Sequence, residues 1–234
     1  MPARPTIVLT GFGPFPGMAQ NATAVLVPRL AAAARTRFVE YDILGEVLAT
    51  EWRAAPETLT KLLAGRQAVL ALHFGVSDTT DGFQVELIGR NMRGSQKDAA
   101  GEAPATKCIV EDGPALLAST LPAEYILARL SKLKLPCRAS NNAGDYLCNA
   151  LLYHSLNVAR DMSQPFVAGF VHVPASLVGH GKDYQDSHPD CPLDWESATK
   201  GGLEIIAASI EMAPAAHEPA RNDYSEQRED GTRA

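Results

Sequence analysis

Short apolar runs that end at glycine or proline alternate with longer segments of helical periodicity along most of this chain. Two of these runs, Ala68–Phe74 and Phe166–Val173, are apolar at nearly every position and stop at Gly75 and Pro174. A strand that is apolar on both of its faces is typical of a parallel sheet that is covered on both sides. The alternation of such strands with helices therefore predicts an α/β fold around a largely parallel sheet.

The predicted strands share short apolar or β-branched runs and are Thr6–Thr10, Phe38–Leu44, Ala68–Phe74, Phe83–Ile88, Cys137–Ser140 and Phe166–Val173. The predicted helices share periodic apolar positions and are Ala22–Ala34, Pro56–Leu63, one after Pro122, one containing Leu147–Leu156, and Leu203–Ile210. The polar segment Arg93–Pro104 contains glycines and is predicted to be a mobile loop.

The length of 234 residues suits one α/β domain, which we place at residues 1–212. Residues 213–234 lack apolar periodicity and carry many charges, so they are predicted to form a disordered tail. The net charge of -6 argues against a general nucleic-acid binder, which would present a basic surface to phosphates. No apolar run is long enough to span a bilayer, and the N-terminus has no signal-peptide pattern. The 4 cysteines include no C-x-x-C pair, so free thiols in a reducing cytoplasm are expected.

Cys148 follows a cluster of turn and cap residues, Ser140–Asp145, and lies within an apolar pattern at helical spacing. This combination places Cys148 in the first turn of a helix. Unpaired backbone N–H groups and the positive end of the helix dipole favour a thiolate there, and a thiolate is a nucleophile. The alternative is that Cys148 is a small apolar side chain of the core, as most free cysteines are.

His172 lies near the end of the strand Phe166–Val173, and ligands of open α/β sheets bind beyond the carboxyl ends of the strands. The strand before Cys148 is expected to end at the same sheet edge, which gives the arrangement of a cysteine nucleophile and its base. A histidine at this position also fits a core residue. Glu86 shares a strand face with Gln84, and it either faces water on an edge strand or accepts the second imidazole N–H of His172.

The glycine-rich segment Gly11–Gly17 does not fit a dinucleotide-binding loop. Its third glycine is displaced from G-x-G-x-x-G, and Pro14 and Pro16 lack the N–H groups that a phosphate needs. We interpret it as a stiff loop that presents Phe12 and Phe15 to a small apolar ligand. The alternative is that both rings belong to the core.

A second cluster, near residue 185, is rich in potential metal ligands. Its spacing matches no standard zinc pattern, and its glycines and prolines indicate a loop, so no metal site is predicted. The potential ligands are His180, Asp183, Asp186, His188, Asp190 and Cys191.

Four segments, taken together and in this order, resemble motifs of pyroglutamyl peptidase type I, or pyrrolidone-carboxylate peptidase, a family of cysteine peptidases. The segments are Gly11-Phe-Gly-Pro-Phe15, Ile109-Val-Glu-Asp-Gly-Pro114, Ser140-Asn-Asn-Ala-Gly-Asp-Tyr-Leu-Cys-Asn149 and Gly169-Phe-Val-His-Val-Pro174. The resemblance spans about Thr6 to Pro174. It implies a three-layer α/β/α sandwich with a twisted, mostly parallel central sheet, assembled as a homotetramer in the cytoplasm and acting without a cofactor or metal.

The resemblance also implies roles for individual residues. Cys148 corresponds to the nucleophile, His172 to the general base and Glu86 to the orienting acid, since Asn91 follows Glu86 at the family's spacing. The residues implied to hold the pyroglutamyl ring are Phe12, Phe15 and Tyr146. The implied reaction is hydrolysis of the amide bond after an N-terminal pyroglutamyl residue through a thioester, so the expected partners are small peptides that begin with pyroglutamate.

The chain departs from the family pattern beside this site. Leu87 stands where the family usually has arginine after its catalytic glutamate, and Ala22 replaces a common proline. The family also has a substrate-binding arginine in the next loop, for which Arg90, Arg93 or Lys97 is the candidate here. Leu87 motivates a rival hypothesis, a catalytically weak protein that binds pyroglutamyl peptides or similar lactams. A nucleotide-linked enzyme is a third hypothesis, and it rests on fold analogy alone.

Overall fold

The computed structural model describes residues 4–179 and 187–212. The strands are β1 (Thr6–Phe12), β2 (Asp42–Leu48), β3 (Ala68–Ser77), β4 (Phe83–Glu86), β5 (Ile88–Arg90), β6 (Leu116–Ala118), β7 (Cys137–Ser140) and β8 (Val167–Pro174). The helices are α1 (Ala22–Arg37), α2 (Ala54–Leu63), α3 (Ala123–Lys132), α4 (Leu147–Asp161) and α5 (Trp195–Glu211), with a short 3-10 turn at Ala175–Leu177. In these described residues, no helix is both long and apolar enough to cross a membrane.

The central sheet has 6 strands in the order β2-β1-β3-β8-β4-β7. The strands β2, β1, β3 and β8 are parallel to their neighbours in this series. The strand β4 runs antiparallel to β8 and parallel to β7. The sheet is therefore mostly parallel, as predicted, with a reversed pair of strands at one side.

Helices cover both faces of this sheet. Alternation along β1 sends Ile7 and Leu9 into an apolar cluster with α1, α3 and α5, while Val8 joins a second cluster with α2 and α4. The strands β3 and β8 divide their side chains between the same two clusters. This arrangement confirms the three-layer α/β/α sandwich.

Two predicted strands differ from those observed. The run Phe38–Leu44 is shifted, because Phe38 ends α1, with its N–H bonded to the carbonyl of Ala34 at 2.8 Å, and β2 begins at Asp42. The run Phe83–Ile88 divides at Leu87 into β4, in the central sheet, and β5, which pairs with β6 in a separate two-stranded antiparallel sheet. Glu86 therefore ends the internal strand β4 instead of lying on an edge strand.

The expectation that the strand before Cys148 ends at the same edge as β8 is wrong. The strand β7 runs opposite to β8, because both of them pair with β4, in parallel and antiparallel register respectively. Residues 141–146 then lead from the end of β7 to the start of α4. Cys148 still reaches the carboxyl end of β3 and β8, but through this connection and not through the strand direction.

Three predicted irregular segments are the 93–104 loop, the chain end and the loop with the candidate metal ligands. Residues 93–104 contain no helix or strand, and Asp98 anchors them by accepting the N–H groups of Trp52, Ala100 and Glu102 at 2.9–3.0 Å. The predicted tail 213–234 lies outside the described residues. So do His180, Asp183 and Asp186 of the candidate ligand cluster, and no group of three potential metal ligands comes together within 4–179 and 187–212.

Candidate active site

A cavity of about 310 Å³ opens at the carboxyl ends of β3 and β8. Its lining includes Cys148 and His172, together with all three rings implied to hold the substrate, Phe12, Phe15 and Tyr146. Small polar groups complete the wall, among them Asn21, Thr50, Ser77, Gln84 and Asn142. The candidate nucleophile and base therefore face one enclosed space with an aromatic side and a polar side.

Cys148 is the second residue of α4, as its local sequence predicts. The helix has Tyr146 at its N-cap without a side-chain capping bond, and its first helical hydrogen bond runs from the Ala150 N–H to the Tyr146 carbonyl at 3.1 Å. The N–H groups of Leu147, Cys148 and Asn149 precede that bond, and such groups have no partner inside a helix. They form a positive site for an anion beside the thiol.

His172 and Glu86 are in direct contact beneath the cavity. The His172 Nδ1 atom lies 2.8 Å from the Glu86 Oε1 atom, so the imidazole donates and the carboxylate accepts. Glu86 is fully buried, and His172 is 5% exposed. Since an unpaired buried carboxylate is costly, this contact explains how Glu86 is kept in an apolar strand.

The titration of His172 reflects these neighbours. Burial of the imidazole disfavours its charged form, but the charge and hydrogen bond of Cys148, followed by those of Glu86, outweigh burial and raise the pKa of His172 to about 9. Burial likewise opposes ionisation of Glu86, but hydrogen bonds from His172 and Gln84 outweigh it and lower the pKa of that carboxyl. The site therefore favours an imidazolium at His172, in contact with Cys148 and supported by an ionised carboxylate at Glu86.

The aromatic side of the cavity is organised around Tyr146. Its ring lies 5.9 Å from that of Phe15 and meets Trp52 edge-on at 5.1 Å, and its hydroxyl donates to the Lys97 carbonyl at 3.2 Å. Phe12 is only 2% exposed and packs near Phe170, so it serves the core as well as the cavity wall. Trp52 was not found by sequence reasoning, since it lies in a bend without apolar periodicity.

The polar anchors of this wall were also missed. The Gly13 carbonyl accepts from Asn21 Nδ2 at 3.1 Å and from Thr50 Oγ1 at 2.8 Å, which fixes the aromatic loop between β1 and α1. Gln84 donates to Glu86 Oε1 at 2.6 Å. Strand alternation places Gln84 on the same face as Glu86, and this is the sequence signal for its role.

Neither candidate arginine lines the Cys148 cavity. Arg90 donates to the carbonyl of Asn141 at 3.1 Å, in the connection before α4. Arg93 donates to Thr106 Oγ1 at 2.6 Å and to the Cys108 carbonyl at 2.7 Å, and it lines a separate cavity of about 650 Å³. Lys97, the third candidate cation, contacts the site through its backbone carbonyl, which accepts a hydrogen bond from the Tyr146 hydroxyl.

Two asparagines of the sequence motifs hold the backbone around the site. Asn149 is fully buried and ties the start of α4 to β5, accepting the Arg90 N–H at 2.8 Å and donating to the Arg90 carbonyl at 2.9 Å. Asn91 accepts the N–H groups of Ile109 and Val110 at 2.8 and 2.9 Å. These bonds connect the Ile109–Pro114 segment, through Asn91 and β5, to the start of α4.

Gly75 lies directly beside the thiol, and we expect Gly75→Ala to slow the reaction of Cys148 with iodoacetamide by about tenfold or more. An added Cβ atom would lie 2.9 Å from Cys148 Sγ and 2.7 Å from Phe170, so the thiol must move. Peptide mapping by mass spectrometry resolves Cys148 from the other cysteines. The matched control is Gly45→Ala, which meets Ala31 at 2.5 Å far from the thiol and should lower stability without changing this rate. Equal rates in wild type and Gly75→Ala would contradict the position of Cys148.

The comparisons with known proteins agree with this geometry. The family profile described as pyroglutamyl peptidase matches residues 5–208. The chain is 32% identical over 202 residues to the pyrrolidone-carboxylate peptidase of Halalkalibacterium halodurans, covering 86% of this chain and 96% of that protein. The crystal structure of pyrrolidone carboxyl peptidase from Pyrococcus furiosus matches with a TM-score of 0.76 at 26% identity, over 88% of this chain and 98% of that one. The chain therefore belongs to the pyroglutamyl peptidase family.

Proposed function

We propose that this enzyme hydrolyses the amide bond after an N-terminal pyroglutamyl residue, with Cys148 as nucleophile, His172 as general base and acid, and Glu86 as orienting acid. The observation that carries the proposal is the buried contact of 2.8 Å between His172 and Glu86, beneath a cavity that both His172 and Cys148 line. A charged base fixed by a carboxylate beside a thiol is the arrangement that acyl transfer to cysteine requires.

The first half of the reaction forms a thioester. The Cys148 thiolate attacks the carbonyl carbon of the pyroglutamyl residue, and the carbonyl oxygen becomes an oxyanion. The N–H groups at the start of α4 face the growing negative charge, and one such donor is typically worth about 3 kcal/mol. The His172 imidazolium gives its proton to the leaving nitrogen, the C–N bond breaks, and the shortened peptide departs as an amine.

The second half of the reaction consumes water. His172, now neutral, removes a proton from water, and the resulting hydroxide attacks the thioester carbonyl. The C–S bond breaks, pyroglutamate leaves, and the Cys148 thiolate is restored beside protonated His172. Glu86 keeps the Nδ1–H of His172 engaged throughout, so that the other ring nitrogen faces the thiol and the water.

The cavity suits an uncharged lactam ring. Phe12, Phe15 and Tyr146 offer aromatic surface, while the polar groups of Asn21 and Thr50 lie on the same wall. A pyroglutamyl residue has no free α-amino group, so its recognition needs no carboxylate anchor. We propose that the three rings hold the lactam. Arg90 contributes by holding the Asn141 carbonyl, and Arg93 acts from the neighbouring cavity through the 106–109 segment.

The test is hydrolysis of a pyroglutamyl chromogenic amide under reducing conditions, with the alanyl and prolyl amides as controls. Release of the chromophore from the pyroglutamyl amide in excess over the controls supports the proposal. Binding of a pyroglutamyl peptide by calorimetry without any turnover would favour the rival, a binding protein, for which Leu87 is the motivating departure. The absence of both turnover and binding would overturn the proposed function.

We further propose that the enzyme is a cytoplasmic homotetramer, so light scattering after gel filtration should give about four times the 25.0 kDa chain mass. Leu116, in the β5–β6 sheet, is 51% exposed, and Met92, just after β5, is 44% exposed. Exposed apolar side chains in one region are suited to contact with another copy. Leu116→Glu should lower the mass, whereas Val39→Glu, which changes an exposed residue outside this sheet, should not. A wild-type mass of one chain would contradict the tetramer.

A further inference from the structure

Three side chains lie in one row across the neighbouring strands β8, β4 and β7. Gln84 on β4 is paired in register with His172 on β8 and with Arg138 on β7. Gln84 is only 6% exposed, so its amide must find partners inside the protein. Glu86 lies two residues further along β4, on the same face as Gln84.

Hydrogen bonds run from Arg138 through Gln84 and Glu86 to His172, the candidate base. Arg138 Nε donates to Gln84 Oε1 at 2.7 Å, and Gln84 Nε2 donates to Glu86 Oε1 at 2.6 Å. The same Glu86 oxygen accepts from His172 Nδ1 at 2.8 Å. Arg138 is itself held by a second bond, from its Nη2 atom to the Thr79 carbonyl at 2.8 Å.

The chemistry of arginine determines the direction of these bonds. A guanidinium has donors and no acceptor, so the oxygen of the Gln84 amide must face Arg138. The NH₂ group of Gln84 is then left facing Glu86, where a carboxylate can only accept. A flipped amide would set its oxygen against the carboxylate and its nitrogen against the guanidinium, so Arg138 excludes that orientation.

We propose that Gln84 and Arg138 are positioning residues for the peptidase reaction: Arg138 orients the Gln84 amide, which holds the Glu86 carboxylate against His172. This inference rests on the proposed function, in which His172 is the base. According to this proposal, Arg138 affects the rate of the reaction, although it lies on the outer strand β7 and does not line the Cys148 cavity. Fixed supporting contacts of this kind keep a reacting group within its productive geometry.

The charged and titratable groups around His172 come from four elements. Cys148 approaches from α4, Glu86 from β4, and Arg138 reaches Glu86 through Gln84 from β7. His73 on β3 meets the ring of Phe170, which in turn packs on His172, and burial lowers the pKa of His73 to about 3. His73 therefore stays neutral across the pH range in which His172 titrates.

The experiment is the Arg138→Met variant, measured by the pH profile of kcat and KM and by NMR titration of His172. We expect kcat to fall about tenfold, with KM nearly unchanged, and the titration of His172 to move to lower pH. Gln84→Leu should show the same kcat loss and the same direction of shift. Because Arg138 acts through Gln84, adding Arg138→Met to Gln84→Leu should cause no further loss. Arg160→Met, which removes an exposed ion pair with Asp161, is the matched control and should change none of these values.

Several results would overturn the proposal. An unchanged His172 titration in Arg138→Met would show that the bonds do not act on the base. A rise in KM without loss of kcat in Gln84→Leu would make Gln84 a substrate contact, and full additivity in the double variant would separate Arg138 from Gln84. The His172 titration needs no substrate, so it tests the positioning role even if the wild-type enzyme fails to turn over the pyroglutamyl amide. Arg138 is exposed on β7, so loss of its side chain should leave the fold intact by circular dichroism.

Discussion

Cys148→Ser is expected to lower kcat for a pyroglutamyl amide by about 10⁴-fold while leaving the thermal stability close to that of wild type. Serine preserves the size of the side chain, but its hydroxyl is a far weaker nucleophile than the sulfur of cysteine. The measurement is steady-state turnover together with the melting temperature. Cys137→Ser is the matched control, because Cys137 lies on β7 away from the cavity and should keep wild-type turnover.

The same variant should change the titration of His172. Burial disfavours the imidazolium, and the charge and hydrogen bond of Cys148 are the leading contributions that overcome it and raise the pKa of His172 to about 9. A neutral serine removes that charge, so the NMR titration of His172 should move to lower pH. Retained turnover in Cys148→Ser would refute the thioester mechanism. An unmoved His172 titration would refute the ion pair, even if turnover were lost.

Strands with a double-sided apolar pattern were predictable from sequence. The strands β3 and β8 are covered by helices on both faces, so nearly every residue is apolar and the pattern needs no tertiary information. The strand β2 was displaced because Phe38 is apolar for another reason: it packs at 6% exposure where α1 ends. The direction of β7 was not predictable, since a strand of 4 residues has the same alternation in either direction.

The site was predictable to the extent that its signals are local. Cys148 stands at a helix start that its own neighbours define, and the family motifs identify His172 and Glu86 as its companions. The contact between His172 and Glu86 joins residues 86 positions apart, so its distance and burial appear only in the fold. Arg93 shows the opposite case, because the family resemblance implied a substrate contact, whereas its bonds to Thr106 and Cys108 direct it into the neighbouring cavity.

The structure shows the surroundings of Leu87, which stands where the family usually has arginine. Leu87 follows β4, and its N–H donates to the Ser140 carbonyl at 2.7 Å, so its backbone continues the pairing with β7. The strand β7 also provides Arg138, which donates to the Gln84 amide, and Gln84 in turn donates to Glu86. The departure from the family pattern therefore leaves the orienting carboxylate with two side-chain donors, Gln84 and His172.

Glu86→Gln is expected to lower kcat by about 100-fold and to move the alkaline limb of the pH profile to lower pH. Gln84 Nε2 and His172 Nδ1 both point donors at the Glu86 Oε1 position, so the introduced amide should place its oxygen there and keep the imidazole tautomer. The variant then loses the carboxylate charge and little else. For this reason the expected loss is smaller than that of a variant whose histidine adopts the wrong tautomer.

The direction of the pH effect follows from the raised pKa of His172. Imidazolium is needed to protonate the leaving amine, so activity should fall as the pH rises through about 9 in the wild type. Glu86 contributes to that raised pKa through its hydrogen bond and charge, so its neutral replacement brings the fall to lower pH. In folding terms, a raised histidine pKa stabilises the protein below about pH 6.5, the unfolded value, and this stabilisation is lost as the pH rises toward 9. As the pH rises above about 6.5, the loss of melting temperature should therefore be smaller in Glu86→Gln and should end at a lower pH than in the wild type.

The matched control for this prediction is Glu57→Gln, which neutralises a half-exposed carboxylate that pairs with Arg53 on α2. An exposed pair of that kind contributes little, so both the rate and the pH profile should stay at wild-type values. If Glu86→Gln kept the wild-type alkaline limb, the charge of Glu86 would have no influence on His172, and its role would be reduced to steric support. If instead kcat fell by the same factor at every pH, the loss would lie in the orientation of the imidazole and not in its protonation.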